Sequence, residues 1–210
     1  MKHIVTEKWV DDEGMAFTWE PIEDTLTVTK IKTGFKAKYL TLDRDESFDS
    51  LVGDDGAVFL VHFHQYFWIE RKDIITEENL RSWYQGEKID QEKDFWIFSV
   101  SALIHSGVRL SLDKSFAMDS MGWDTSHVGA VLVSKKDWPT KAHALKVADG
   151  LIETWNMVLS GEVFGIVKET YDKDKNQVDY DVVWGFLGLE YAKESLDTFS
   201  KGTRSKNASQ

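Results

Sequence analysis

Thr25-Leu-Thr-Val-Thr-Lys-Ile-Lys32, then Gly34, then Phe35-Lys-Ala-Lys-Tyr-Leu-Thr-Leu42 is the stretch that sets the fold class. Leu26 and Val28 alternate with threonines, and Phe35, Ala37, Tyr39 and Thr41 alternate with Lys36, Lys38 and Leu40. Because successive side chains of a strand point to opposite faces, this pattern predicts an antiparallel hairpin with one wet face. Further out, Ile4–Trp9 and Met15–Glu20 flank the turn-rich Asp11-Asp-Glu-Gly14 and predict a second hairpin. Val163–Tyr171 and Val178–Phe186 predict a third, around Asp172-Lys-Asp-Lys-Asn-Gln177. Ala57–Glu70, Val108–Leu112 and Val128–Val133 read as strands, while Asp94–Ile104 suits a buried strand or a short buried helix equally well.

Helices have clearer punctuation. Thr76 can cap a short helix to about Gln85, with Glu77 and Glu78 near its positive end and Gly86 as its stop. Thr140–Ser160 carries Ala142, Leu145, Ala148, Ile152, Trp155 and Leu159 at spacings of three and four, with Gly161 just past it. A last helix is expected over about Leu189–Phe199. Many hairpins and few helices predict an α+β protein: mostly antiparallel sheet, one long amphipathic helix and one or two shorter ones. A single globular domain over 1–199 is expected, with a weak subdivision near 90–94 and a disordered polar tail over 200–210.

Composition narrows the functional classes. Twelve Phe and nine Trp supply enough large apolar surface for a real core, which excludes general disorder. The absence of cysteine removes disulfides, thiolate metal sites and a cysteine nucleophile. The net charge of −11 is uneven: 21 acidic and 12 basic residues through Asp94, against 15 and 13 after it. An acidic leading half repels phosphates, so direct nucleic-acid binding is not expected. The first residues show no signal peptide and the apolar runs are too short to span a bilayer, so a cytoplasmic protein without a membrane contact is expected. No phosphate-cradling loop, dinucleotide fingerprint or His-Glu-x-x-His occurs, and no cofactor or resident metal is expected.

Several constellations bear chemistry. His105-Ser-Gly-Val-Arg-Leu-Ser-Leu112 and Gly122-Trp-Asp-Thr-Ser-His-Val-Gly129 offer an imidazole, His105, and a carboxylate, Asp124, in the roles of general base and its orienting partner. Ser106, Ser111 or Thr125 would then be the activated hydroxyl. The plainer reading makes Asp124 a turn cap and His105 a carbonyl-bonded structural residue. His62 and His64 share one face of a strand, as two metal ligands would, or simply line an aromatic sheet face. Asp172-x-Asp-x-Asn176 begins like a calcium loop but has Gln177 at position six and Val183 at position twelve, so it reads as a charged hairpin tip. Glu153 and Asn156 neighbour each other on the long helix and, with Glu162, offer polar groups to a cleft or to solvent. Trp184-Gly-Phe-Leu-Gly188 sets glycines beside aromatics, as where backbones pack closely or a ligand approaches.

His105-Ser-Gly-Val, Gly122-Trp-Asp-Thr with Val128-Gly129, Glu153-Thr-Trp-Asn156, Leu159-Ser-Gly-Glu-Val-Phe-Gly165 and Trp184-Gly-Phe-Leu-Gly188 together resemble a family of small proteins encoded by bacteriophages and other mobile elements. The resemblance spans roughly Asp94 to Glu194. Where the family is associated with Asp-Ser-Gly-Gln, this chain has Asp-Thr-Ser-His. It implies a phage or plasmid setting and carries no established activity. Two functions are therefore expected to compete. One is an accessory protein that binds a host protein with a basic surface, in defence or nucleic-acid processing, through Asp43, Asp45, Glu46, Asp49, Asp54 and Asp55 with Trp123 and Trp184 as aromatic anchors. The other is a small hydrolase-like enzyme using His105 and Asp124.

Overall fold

The computed structural model describes residues 3–5, 8–10, 14–44, 57–63, 74–104, 107–112, 116 and 124–199. In chain order these form β1 (His3–Val5), β2 (Lys8–Val10), β3 (Ala16–Phe17), β4 (Thr27–Ile31), β5 (Gly34–Leu42), β6 (Val58–His62), α1 (Glu77–Tyr84), β7 (Phe95–Ile104), β8 (Val108–Leu112), β9 (Thr125–Ser134), α2 (Lys141–Leu159), β10 (Val163–Tyr171), β11 (Gln177–Leu187) and α3 (Leu189–Thr198). The architecture is α+β with antiparallel sheets. No helix among the described residues is long and apolar enough to cross a membrane.

The chain divides into two compact units, a split one (Met1–Asp45 with Gly161–Gln210) and a continuous one (Glu46–Ser160). The charge shift near 90–94 falls inside the continuous unit, where a 3₁₀ turn over Asp90–Lys93 leads into β7.

In the split unit the strand order is β11-β10-β5-β4, every pair antiparallel. Period-two burial sends Ala37, Tyr39, Val167 and Tyr171 to one face, where they pack with Met15 and Phe17. Leu40, Phe164 and Ile166 point to the other and are covered by Ala192 and Leu196 of α3. Both sides of β10 are thus apolar and buried, as a central strand requires. The C-terminal end of α3 meets two cations. Lys38 Nζ donates to the Leu196 carbonyl (3.0 Å) and Lys168 Nζ to that of Phe199 (2.8 Å), which suits the negative end of the helix dipole. The N-terminal sheet, β1-β2-β3, departs from expectation. The stretch 4–9, read as one strand, is two strands that pair with each other, Ile4 opposite Trp9.

In the continuous unit the order is β6-β9-β7-β8. Phe95–Ile104 is a strand, which periodicity alone left open, because β9 and β8 pair on its two sides. One face carries Phe59, Val61, Ala130 and Leu132 against Ile75 and Leu80, the latter on α1. Thr76 caps α1 as expected, its hydroxyl accepting from Asn79 N at 3.1 Å. Thr140 caps α2 in the same manner. The buried stripe of α2 is Ala144, Ala148, Ile152, Trp155 and Val158. Ala142 and Leu145, expected inside, are exposed, because the buried stripe starts at Ala144 and continues through Ala148, Ile152, Trp155 and Val158, on a different face.

Candidate functional site

Of the candidate catalytic pair, His105 lies outside the described residues. Asp124 is exposed just before β9, and its backbone carbonyl accepts from Ile104 N at 3.0 Å, extending the β7–β9 ladder by one bond. Ser106 and Trp123 also lie outside the described residues, as do the acids Asp45, Glu46, Asp49, Asp54 and Asp55. Asp43 is half-buried at the end of β5, where its N–H donates to the Val163 carbonyl (2.9 Å). His62 is fully buried, and His64 lies outside the described residues. Among the described residues no three His, Asp or Glu side chains gather as a metal would need.

The imidazole that meets hydroxyls is one the sequence pattern did not single out. His127 is exposed on β9, and its Nδ1 lies 3.1 Å from Ser99 Oγ and 3.2 Å from Ser101 Oγ of β7. Ser99 and Ser101 share a face by their spacing of two. A slip in register between Val100 and Ser101 brings His127 opposite Ser101. The Tyr84 ring of α1 lies 5.2 Å from the imidazole, and its hydroxyl donates to the Gly129 carbonyl at 2.5 Å. Gly129 has no room for a side chain: a Cβ there would sit 2.0 Å from the Val61 carbonyl oxygen. Chemically this is a Ser–His contact whose hydroxyls are out of reach, since both serines are 4% exposed. No carboxylate among the described residues hydrogen-bonds the imidazole to orient it as a general base requires.

The Asp172 turn is closed on itself. Asp172 Oδ1 accepts from Asp174 N and Asn176 N (2.9 Å each), and Oδ2 from Asn176 Nδ2 (3.2 Å). These bonds, the Asn176 N–H first, hold its carboxyl below the ordinary value. The carboxylate is committed to the tip of the β10–β11 hairpin. Asn156 is likewise committed. Its side-chain amide accepts from Leu110 N (2.7 Å) and donates to Leu110 O (3.0 Å), sealing the outer edge of β8 as another strand would.

One surface of the split unit is built differently. Val178, Tyr180, Val183 and Trp184, all on β11, are four of the nine large apolar side chains that stay exposed among the described residues; Tyr180 and Trp184 share one face with Trp19, whereas Val183, opposite Ile166, lies on the face of α3. Trp184 lies over Gly165, whose Cβ would fall 2.3 Å from the indole, so glycine at 165 is what lets the ring sit down on β10. Trp19 meets both Tyr180 and Trp184 edge-on, each at 5.7 Å. Beneath this cluster a buried carboxylate holds the sheet to the segment carrying Trp19. Glu169 Oε1 accepts from Thr18 N (3.0 Å) and Gln177 Nε2 (2.9 Å), and Oε2 from the hydroxyls of Tyr39 (3.0 Å) and Tyr171 (2.6 Å). Four donors replace water around a group that pairs with no cation among the described residues. Asp179 and Asp181 flank Tyr180 along the strand and point to the opposite face.

No protein-family model, curated protein or solved structure matches the chain.

Proposed function

We propose that the protein is a non-enzymatic binding protein that captures a partner with a basic surface, with Trp184, Tyr180 and Trp19 as its aromatic anchors and Asp179 and Asp181 on the other face of the same edge strand. The observation that carries this reading is the concentration of exposed apolar side chains on one strand, over a rigid, hydrogen-bonded floor. Isolated exposed rings are ordinary, but a cluster of them on one strand marks an interaction site. Rings held edge-on are also preorganised, which lowers the entropy lost on docking. In the phage or mobile-element setting that the sequence pattern implies, the partner is a host protein of defence or nucleic-acid processing, and capture inhibits or modulates it. The net charge of −11 speeds encounter with such a partner at low salt.

The test is capture from host lysate by the wild type and by a Tyr180→Ser/Trp184→Ser double variant, with circular dichroism as the control for folding. The double variant is expected to lose the partner while remaining folded. Undiminished capture by a folded double variant would remove this surface from the reading. The hydrolase-like alternative retains one observation, the His127 contact with Ser99 and Ser101. It requires His127→Ala to abolish a turnover, whereas the binding reading requires that variant to capture the partner normally.

A further inference from the structure

We propose that the partner is taken up by strand addition: an extended segment with basic side chains at alternate positions and apolar ones between them pairs with the outer edge of β11 over 179–183. This rests on the binding reading above and gives it a geometry. β11 is the end strand of its sheet, and no described strand pairs with its outer side. Its register slips at two places, between Phe164 and Ile166 and between Thr170 and Tyr171 on the partner strand. Between those slips Asp179 to Val183 run in unbroken register opposite Thr170 to Ile166, so this window is a straight, ready template.

The side chains of the window dictate what can be added. On the face covered by α3 lie Asp179 and Asp181. Across the sheet, Asp181 is followed by Lys168 and Lys38, and Asp179 by Thr170 and Lys36. Each carboxylate therefore ends a row whose inner members include lysine, with nothing described on its outer flank. A residue of an added strand would stand about 4.5–5.5 Å away there, where an opposite charge stabilises and a like charge repels. On the other face Tyr180 and Val182 alternate with the acids, and Tyr180 continues into the Trp19–Trp184 cluster. The added strand accordingly needs a basic residue beside Asp181 and another beside Asp179, with an apolar residue between them to cover Tyr180.

The same logic disfavours a second copy of this chain. Antiparallel self-pairing centred on Tyr180 sets Asp179 against Asp181 of the copy, and pairing centred on either aspartate sets it against itself. The chain also treats its edges differently. β8 is closed by the Asn156 amide, whereas β11 carries only the two acids that select against its own kind.

The experiment uses the full chain and short labelled peptides of strictly alternating lysine and valine, of the same residues in two blocks, and of alternating glutamate and valine. Fluorescence anisotropy reads affinity, and amide exchange reads where the peptide lies. The alternating lysine peptide is expected to bind roughly tenfold tighter than the blocked one, from two favourable cross-strand pairs added to the shared charge attraction. It should slow exchange within 178–183. Asp179→Lys with Asp181→Lys should invert the preference toward the glutamate peptide. Equal binding of the alternating and blocked peptides would reduce the effect to net charge and overturn the proposal. So would an unchanged preference in the charge-reversed variant, protection elsewhere in the chain, or self-association in place of peptide binding. If these fail while Tyr180→Ser/Trp184→Ser still abolishes capture, strand addition falls and the binding reading stands; if that double variant captures normally, the binding surface itself falls.

Discussion

Glu169 shows how much a single buried group can hold. Removing it by Glu169→Ala leaves the Thr18 N–H, the Gln177 amide and the hydroxyls of Tyr39 and Tyr171 without their shared acceptor. Urea unfolding should record a loss of about 3 kcal/mol, and about half that for Glu169→Gln, which keeps one acceptor oxygen. The same network makes alkaline stability a readout. Burial, and then the adjacent Glu169 charge, push the Tyr39 phenol above its ordinary value of 10.0. The folded protein thus keeps a proton that the unfolded chain gives up. Its contribution is complete below the ordinary tyrosine value and is lost as pH rises through and beyond it. Denaturant titrations across the alkaline range should show the midpoint falling, and Tyr39→Phe should flatten that fall. Gly165 governs the surface instead of the interior. Gly165→Ala drives a methyl into the Trp184 ring, so the indole must lift away. Intrinsic fluorescence should shift to the red and partner capture should weaken, with a stability loss on the order of 1 kcal/mol.

Among the elements, Asn156 on α2 acts as a one-residue strand for the β8 edge. Asn156→Ala should cost about 2 kcal/mol, and hydrogen exchange at Leu110 should accelerate before any other position in β8. Glu153, three residues earlier and exposed, should tolerate alanine with no measurable change. The pattern of residues foretold where these elements lie far better than what their polar groups do. Thr76 and Thr140 marked helix starts because a cap is a local event, and the β4–β5 and β10–β11 hairpins were legible because burial alternates with the pleat. Phe95–Ile104 was not legible as a strand, since an element covered on both sides shows an apolar run without a period. His127, Ser99 and Ser101 escaped notice because a register slip brings them together, and Asn156 because its partner Leu110 is a backbone unit. Trp184 was offered as an aromatic anchor, but its companions went unnamed: Tyr180 lies on the same strand, and Trp19 comes in from distant sequence beside the Thr18 N–H that Glu169 holds.

For the molecule as a whole, the telling feature is that one unit is continuous and the other is divided by it. Glu46–Ser160 holds its own sheet, its own two helices and its own core, so it meets the requirements of an independently folding body. Expressed alone, that segment should unfold cooperatively in denaturant with native-like strand content; a non-cooperative transition would count against it. The split unit has no such option. Asp43 bonds to Val163 and Leu42 lies opposite Phe164, so the two points at which the chain leaves and re-enters it are side by side. One of its two inner strands, β10, comes after the whole continuous segment. On a translating ribosome the β4–β5 hairpin must therefore wait, with one long side open, until the rest of the polypeptide has emerged. Stalling synthesis at the point where Ser160 has just left the ribosome should yield a nascent chain with one protease-resistant body and an N-terminal stretch that is still cut. Cells short of chaperones should accumulate aggregates seeded by that waiting stretch.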